Sequence, residues 1–279
     1  MDATTRKAYP TDLTDAQWEL IAPLLPPSKP GGRPRTVNLR EIVNTILYLN
    51  RTSCQWDMLP HDLQPKSTAY EYFAQWRDDG TLTKIVDTLR MQVREAAGRQ
   101  ATPSAVCIDS QSVKTTDVGG DQRGYDGGKK IKGRKRHLLV DTLGLLVAVL
   151  VTGANVDDGT AAPQLLDRIT VESCPRLQTI FGDNKYRNHA LDAWLAKQRP
   201  SWNVEIQSRP EGAAKFTPVR KRWVIERTNA WTVRCRRNAK DYERRVESSV
   251  AMVQLSNLHV MLRRLAPTPR PAFHYRSAA

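Results

Sequence analysis

Three acidic residues in this sequence could together carry metal-dependent chemistry, although they lie far apart in the chain. Asp109 and Asp183 each end an apolar run, and Glu226 lies within the basic stretch KRWVIERTNAW. Carboxylate oxygens are the ligands that Mg²⁺ prefers, and two such ions can cleave a phosphodiester by stabilising both the attacking and the leaving oxygen. A lone acid among helical cations suits this chemistry, with the carboxylate on metal and the arginines on phosphate.

Spacing alone does not select these three acids. They are separated by 74 and 43 residues, so only a fold could bring them together, and the chain has 29 acidic residues from which other trios could be chosen. An acid at a strand end is also often a cap or part of a solvated turn. Such interpretations suit Asp141, in a predicted hairpin turn, and Asp157 and Asp158, at a predicted helix start.

The elements after residue 100 would have to position the acids. Apolar runs bounded by turn residues predict strands, and a period of 3.6 residues predicts helices. In chain order the pattern predicts a strand ending at Asp109, a hairpin turning at residues 141–144, a helix over 157–168, a strand ending at Asp183, a helix, a strand, a helix over 217–238 and a last amphipathic helix. This order predicts a mixed α/β sheet with helices packed on it.

The first hundred residues are predicted to be all-helical. Helical periodicity covers residues 13–25, 38–51, 67–79 and 81–100. Short turns between the helices favour a helix-turn-helix-like unit with 67–79 as its reading helix. A plain helical bundle is the alternative, because 13 basic and 12 acidic residues leave this region almost neutral.

Positive charge is concentrated after residue 100. The formal net charge is +14, and 30 of the 43 basic but only 17 of the 29 acidic residues lie there. Such asymmetry favours a polyanion such as nucleic acid as the partner. The candidate DNA contacts are Lys129, Lys130, Lys132, Arg134, Lys135 and Arg136 in KKIKGRKRH, then Arg222, Arg227, Arg234, Arg236, Arg237 and Lys240 around and after Glu226, and Arg33 and Arg35 in GRPR.

Each group of candidate contacts has an alternative. KKIKGRKRH could be a charged edge leading into a strand, and GRPR could be an ordinary Pro/Gly linker rather than an arm for the minor groove. Trp231 could stack on a displaced base or pack in the core.

Several classes of protein are disfavoured. The four cysteines are far apart and include no CxxC pair, which argues against structural zinc and for a reduced compartment. The polar start shows no signal peptide, and no uncharged run of 18 apolar residues could span a membrane. We therefore expect a cytoplasmic protein without a membrane partner.

Long stretches of the sequence resemble, in order, insertion-sequence transposases of the IS5 group, within the DDE class. They lie across most of residues 11–262 and read LTDAQWELIAPLLP, IDSQSVKTT, GYDGGKKIKGRKRHLLVDTLGLLVAVLVTGANVDDG, FGDNKYR and RWVIERTNAWTVRCRRNAKDYE. The resemblance implies an RNase H-like catalytic domain over 101–265, with a five-stranded mixed sheet flanked by helices. A helical DNA-binding or dimerisation domain over 1–100 would precede it, and a tail over 266–279 would follow.

The resemblance also implies roles for the acids. Asp109 on the first strand, Asp183 at the end of the fourth and Glu226 on the helix after the fifth would be catalytic and would hold two Mg²⁺ ions, with Mn²⁺ as a substitute. The implied activity is DNA transposition by phosphodiester hydrolysis and transesterification in a bacterial cytoplasm, on the nucleoid when bound to DNA. The partners would be terminal inverted repeats, target DNA and at least a second copy of the chain.

Two other functions stay open on the sequence. A catalytically silent, transposase-derived DNA-binding protein is the alternative, and an RNase H-like nuclease that cuts without joining is a third. The signature around the Glu also departs from the family at two places. Arg222 fills the basic position four residues before Glu226, but Val219 replaces an aromatic residue and Val233 replaces a Lys. Arg234 and Arg236 are the candidate replacements for that Lys.

Overall fold

The computed structural model describes residues 6–28, 31, 35–117, 120–208 and 221–268. The elements in these ranges alternate as the sequence pattern predicts after residue 100. Their bounds are α1 (Asp15–Ile21), α2 (Leu39–Thr52), α3 (Lys66–Asp78), α4 (Thr81–Ala96), β1 (Ala105–Lys114), β2 (Gly124–Asp126), β3 (Ile131–Asp141), β4 (Leu146–Gly153), α5 (Asp158–Leu166), β5 (Thr179–Gly182), α6 (His189–Gln198), β6 (Asn203–Ile206), α7 (Arg222–Val233) and α8 (Val246–Leu265).

The N-terminal region is all-helical, as predicted, and local caps fix where its helices begin. Thr14 and Gln17 form a capping box at the start of α1, and the Asn38 side chain accepts hydrogen bonds at the start of α2. The apolar faces of the helices, including Phe73 and Trp76 of α3, pack into one core. The burial of these faces stabilises helices that would be marginal alone.

The last helix, α8, completes this N-terminal core. Leu255, Leu258 and Leu262 pack among α2 and α4, whereas Val253 of the same helix packs against the sheet. Asn50 of α2 donates a hydrogen bond of 3.0 Å to the carbonyl of Met252. The division near residue 100 stays a prediction, and α8 is shared by the two regions that this division would separate.

The sheet confirms the predicted RNase H-like arrangement. Its five main strands lie in the order β4-β3-β1-β5-β6, with β1 antiparallel to β3 and parallel to β5. The short strand β2 pairs antiparallel with the first three residues of β3. Helices α5 and α6 cover one face, and α7 and α8 cover the other. Among the described helices, none is long and apolar enough to cross a membrane.

Strand β1 is longer than the sequence indicated. The prediction that it ends at Asp109 is wrong, because it continues to Lys114 and pairs with β3 along that whole length. The polar residues Ser110 and Ser112 look like a loop in the sequence. In the fold their hydroxyls donate to Asp158 and Asp126, so they are buried with partners and the strand continues. Asp109 therefore lies in mid-strand.

Candidate active site

Asp109 on β1 and Asp183, which directly follows the neighbouring parallel strand β5, lie at matching positions. Cys107 of β1 pairs with Phe181 of β5, and each aspartate follows two residues later. Side chains on a strand alternate between faces, so both carboxylates point to the face that α7 covers. Strand pairing thus brings together two acids that are 74 residues apart in the sequence.

Helix α7 brings Glu226 to the same face. Ile225 is buried against the sheet in the core that contains Cys107 and Phe181, which fixes the position of its neighbour. The Arg222 Nη2 atom lies 4.0 Å from the Asp183 Oδ2 atom and 3.9 Å from the Glu226 Oε1 atom. Arg222 therefore lies between Asp183 and Glu226, and its charge also acts on Asp109.

The electrostatics of Asp109 reflect its burial and a nearby carboxylate. Burial raises the pKa of Asp109 to about 6, and the neighbouring Asp183 carboxylate contributes in the same direction. A backbone hydrogen bond at Ser110 and the charge of Arg222 act against this rise. An added cation would favour the charged form of Asp109.

The three acids fit a divalent cation in the type of their donor atoms. All are carboxylates, the hard oxygen ligands that Mg²⁺ and Mn²⁺ take. Within the described ranges, however, no three acidic, histidine or cysteine side chains stand close enough together to hold one ion. Arg222 lies beside Asp183 and Glu226, and its single positive charge offsets part of their negative charge.

A buried carboxylate lies on the other side of β1. Asp157 caps α5, as predicted, but Asp158 points inward. Its oxygens accept hydrogen bonds from Ser110 Oγ at 2.7 Å and from Lys185 Nζ at 2.9 Å, and Lys135 Nζ lies at 3.1 Å. Burial disfavours the charge, but these hydrogen bonds prevail and lower the pKa of Asp158 to about 2.

Sequence reasoning missed this cluster. The sequence holds two indications of this cluster: Ser110 directly follows Asp109, and Lys185 lies two residues after Asp183. The Lys185 side chain is 52% exposed, and its amine is held by Asp158. The structure therefore adds a positioned cation to the neighbourhood of the catalytic candidates.

Four of the predicted DNA contacts are in the protein interior, so those predictions are wrong. Arg134, Lys135 and Arg136 lie on β3 between β1 and β4, and all three are buried. Arg134 pairs with Asp241 and donates to three backbone carbonyls. Arg237 is also buried and pairs with Glu243.

Arg134 and Arg136 are buried because the chain after α7 folds over β3. Arg136 donates to the carbonyl of Asn238 at 2.7 Å, and Arg134 donates to the carbonyls of Glu243 and Arg244, both at 2.8 Å. The guanidinium groups satisfy backbone acceptors that would otherwise be buried without a donor. Their role is structural.

The other basic candidates remain accessible. The fully exposed ones are Lys129, Lys130, Lys132, Arg234, Arg236, Lys240 and Arg35. Arg222 and Arg227 are half-buried, and Arg33 lies outside the described residues, as does Val219. The Trp231 ring already contacts two guanidinium groups, those of Arg227 at 4.6 Å and Arg264 at 4.9 Å from its centroid.

Comparison with known families and proteins gives one consistent result. A family described as a putative transposase of the IS4/5 family matches residues 13–86, and one described as a transposase DDE domain matches residues 100–260. A putative transposase for insertion sequence element IS402 from Burkholderia cepacia is 29% identical over 138 residues, which are 44% of this chain and 60% of that protein. The chain thus spans less than two thirds of this relative.

A second relative and two solved structures also align with this chain. An uncharacterized 16.2 kDa protein of insertion element IS402, also from Burkholderia cepacia, is 30% identical over 115 residues, 38% of this chain and 76% of that protein. The Mos1 strand transfer complex aligns at 13% identity over 86% of this chain and 79% of that chain, with a TM-score of 0.24. The Mos1 mariner paired end complex with Mn aligns at 12% identity over 86% and 80%, with a TM-score of 0.25.

The family comparison confirms the resemblance seen in the sequence. The matched range of 100–260 covers more than half of the chain and contains Asp109, Asp183 and Glu226. On this basis, the protein belongs to the transposase DDE domain family.

Proposed function

We propose that the protein is a DNA transposase that binds the terminal inverted repeats of its insertion sequence, cuts them and joins them to target DNA. The observation that carries the proposal is that Asp109, Asp183 and Glu226 lie on one face of the sheet with Arg222 beside Asp183 and Glu226, in a chain of the transposase DDE domain family. Water attacks first and releases a 3′-OH, and that 3′-OH then attacks a phosphodiester of the target.

The proposed cofactor is a pair of Mg²⁺ ions, for which Mn²⁺ can substitute. Asp109, Asp183 and Glu226 would hold the ions, which when bound stabilise the attacking and leaving oxygens of the displacement. Arg222 meanwhile screens the repulsion between the acids in the protein alone. Its side chain is half-buried beside two of them, so it is placed to pair with phosphate once another cation satisfies the carboxylates.

The proposed DNA surface consists of cations that remain exposed around the acids. Lys129, Lys130 and Lys132 lie at the start of β3, and Arg234 and Arg236 follow α7. Lys185, which Asp158 holds two residues after Asp183, supplies a further positive charge. Pairing of two transposon ends requires at least two copies of the chain, so the active form would be a homodimer or larger.

A cleavage and strand-transfer assay tests this function. The substrates are labelled DNA with the element's own ends and a target plasmid, with Mg²⁺ or Mn²⁺. We expect the wild type to cut and join, and Glu226→Gln to bind the ends without cutting. Glu247→Gln is the control, because Glu247 is an exposed acid that pairs with Arg245, away from the trio.

Other outcomes would assign another function. If both wild type and Glu226→Gln bind the ends and neither cuts with either metal, the protein is a silent DNA-binding protein. If the wild type cuts but never joins, it is a nuclease.

A further inference from the structure

A cavity of about 330 Å³ lies where the N-terminal region meets the end of α7, the helix that carries Glu226. Its walls come from residues 10–13, from Arg51 on α2, from the end of α7 and from α8. The cavity is separate from the acid trio, none of whose members lines it. Its volume is within the range of small-molecule and cofactor sites.

Positive charge without a counter-charge dominates this cavity. Four arginines line it, namely Arg51, Arg234, Arg263 and Arg264. Across the described ranges, none of the four forms an ion pair with a carboxylate. The one acid in the lining, Asp12, pairs with Arg6 at 2.8 Å.

Two of the cavity's side chains are held in place by uncharged partners. Arg264 lies over the Trp231 ring and donates to the carbonyl of Leu143, and Arg51 donates to the carbonyl of Arg234 at 3.0 Å. These contacts orient the guanidinium groups but leave their charge uncompensated. Fixed, unneutralised cations favour an anionic ligand, since its binding then costs little side-chain entropy.

A buried polar atom in the same cavity has no partner. The Nε2 atom of His259, which lines the cavity, makes no hydrogen bond within the described part of the chain. Buried polar atoms in native proteins almost always have a partner, so an unpaired one suggests an external ligand or water. Burial and the charges of Arg51 and Arg263, which line the same cavity, lower the pKa of His259 to about 4, and an anion bound there would compensate both arginines.

The distance from the acids suggests which anion would reach the cavity. Trp231 and Arg234 follow Glu226 by five and eight residues, which is about 7.5 and 12 Å along a helix. This span corresponds to about two to four nucleotides of duplex rise. We propose that the cavity binds a backbone phosphate of the transposon end, about two to four nucleotides from the cleaved bond.

This inference rests on the proposed function, and phosphate-by-phosphate neutralisation of the DNA tests it. End DNAs carry one uncharged methylphosphonate at each position in turn, and their affinities are measured for wild type and for Arg51→Gln/Arg263→Gln. We expect the double variant to bind unmodified ends at least about tenfold more weakly. At one or two positions near the cut, and at no others, we expect a methylphosphonate to weaken binding by wild type but not by the double variant.

Controls separate this outcome from a general loss of charge or fold. Arg99→Gln, at an exposed arginine outside the cavity, should keep the wild-type methylphosphonate profile. Arg263→Lys should restore part of the affinity, and thermal melts should show that every variant is folded. The slope of log affinity against log salt should fall by about one for each phosphate that the variant no longer binds.

Three results would overturn the inference. In the first, wild type binds and cuts the ends, but the losses of affinity from the methylphosphonate and from the arginine substitutions add up at every position. The cavity then contacts no DNA phosphate, while the proposed function stands. If inorganic phosphate or pyrophosphate raises the melting temperature of wild type but not of the variant, with the same additivity, the cavity binds a free anion. If wild type binds no end DNA, both proposals fail together.

Discussion

At the residue scale, burial and hydrogen-bond partners together set the pKa of two aspartates near the site, the half-buried Asp109 and the buried Asp158. Burial and a like-charged neighbour raise the pKa of Asp109 to about 6. Burial also disfavours the charge of Asp158, but hydrogen bonds from Lys185 and Ser110 outweigh it and lower its pKa to about 2. The two carboxylates lie on opposite faces of β1, so one strand separates an acid whose charge is disfavoured by burial from one whose charge is stabilised by hydrogen bonds.

Asp158→Asn should destabilise the protein and weaken cleavage. The variant leaves the buried Lys135 ammonium without a carboxylate and releases Lys185 from its position, so we expect a loss of about 3–5 kcal/mol in the free energy of unfolding. Urea unfolding measures it, with the strand-cleavage rate as a second readout. Asp157→Asn is the matched control, because Asn also caps helices and stability should hardly change. Equal stability of the two variants would contradict the structural role of Asp158.

His137 should make stability fall as the medium becomes acidic. Burial lowers its pKa to about 4, against about 6.5 in an unfolded chain. Between these values the unfolded state binds more protons, so stability decreases as the pH falls from about 6.5 to 4, by up to about 3 kcal/mol. His137→Gln should flatten that part of the curve of unfolding free energy against pH. An unchanged slope would show that His137 is protonated in the folded protein.

At the element scale, close approach of two strands fixes the frame that carries Asp109. Gly133 of β3 pairs with Lys114 of β1, and a Cβ atom added there would lie 2.0 Å from the carbonyl oxygen of Val113. Backbone atoms cannot give way as a flexible side chain can. The glycine is therefore required for the pairing that extends β1 beyond Asp109.

Gly133→Ala should destabilise the protein by at least about 2 kcal/mol, since β1 and β3 must separate to admit the methyl group. Cleavage should also weaken, because the shift is on the strand that carries Asp109. Gly127→Ala is the control, since an added Cβ there meets nothing within 4 Å. Thermal unfolding of both variants measures the difference, and similar melting temperatures would contradict the expected clash.

The same elements show what the sequence can and cannot predict. Apolar periodicity predicted the hairpin of β3 and β4, strand β5 and the helices, because local burial patterns determine them. The acids of the trio were identified through family resemblance, and strand register explains how Asp109 and Asp183 come to the same face. The interior place of Arg134 could not be predicted, because its partner Asp241 is 107 residues away. A run of cations looks solvent-exposed unless the distant segment that covers it is known.

At the scale of the whole molecule, α8 joins the N-terminal core to the sheet. Its leucines pack with α2 and α4, and Val253 packs with β-strand residues of the other core. A protein of 279 residues with two separable domains would often unfold in two steps. A shared helix makes each region depend on the other.

We therefore expect one cooperative unfolding transition for the whole chain. Calorimetry should give a single peak, and Leu258→Ala, in the buried face of α8, should lower the free energy of unfolding by about 2–5 kcal/mol. Spectroscopic probes placed in the N-terminal region and in the sheet should report the same shift in melting temperature. Two resolved transitions, with only one moved by the substitution, would show that the regions are independent.

The place of α8 in the chain also has a consequence for synthesis. The N-terminal helices end at Ala96, whereas the helix that completes their core begins at Val246. At about 5–20 residues per second, the ribosome needs roughly 8 to 30 seconds to make the residues between them. During that time the apolar faces of α2 and α4 lack the contacts that α8 supplies in the folded protein. A nascent chain should therefore need protection by chaperones, and an mRNA broken before α8 should give a product that cannot fold.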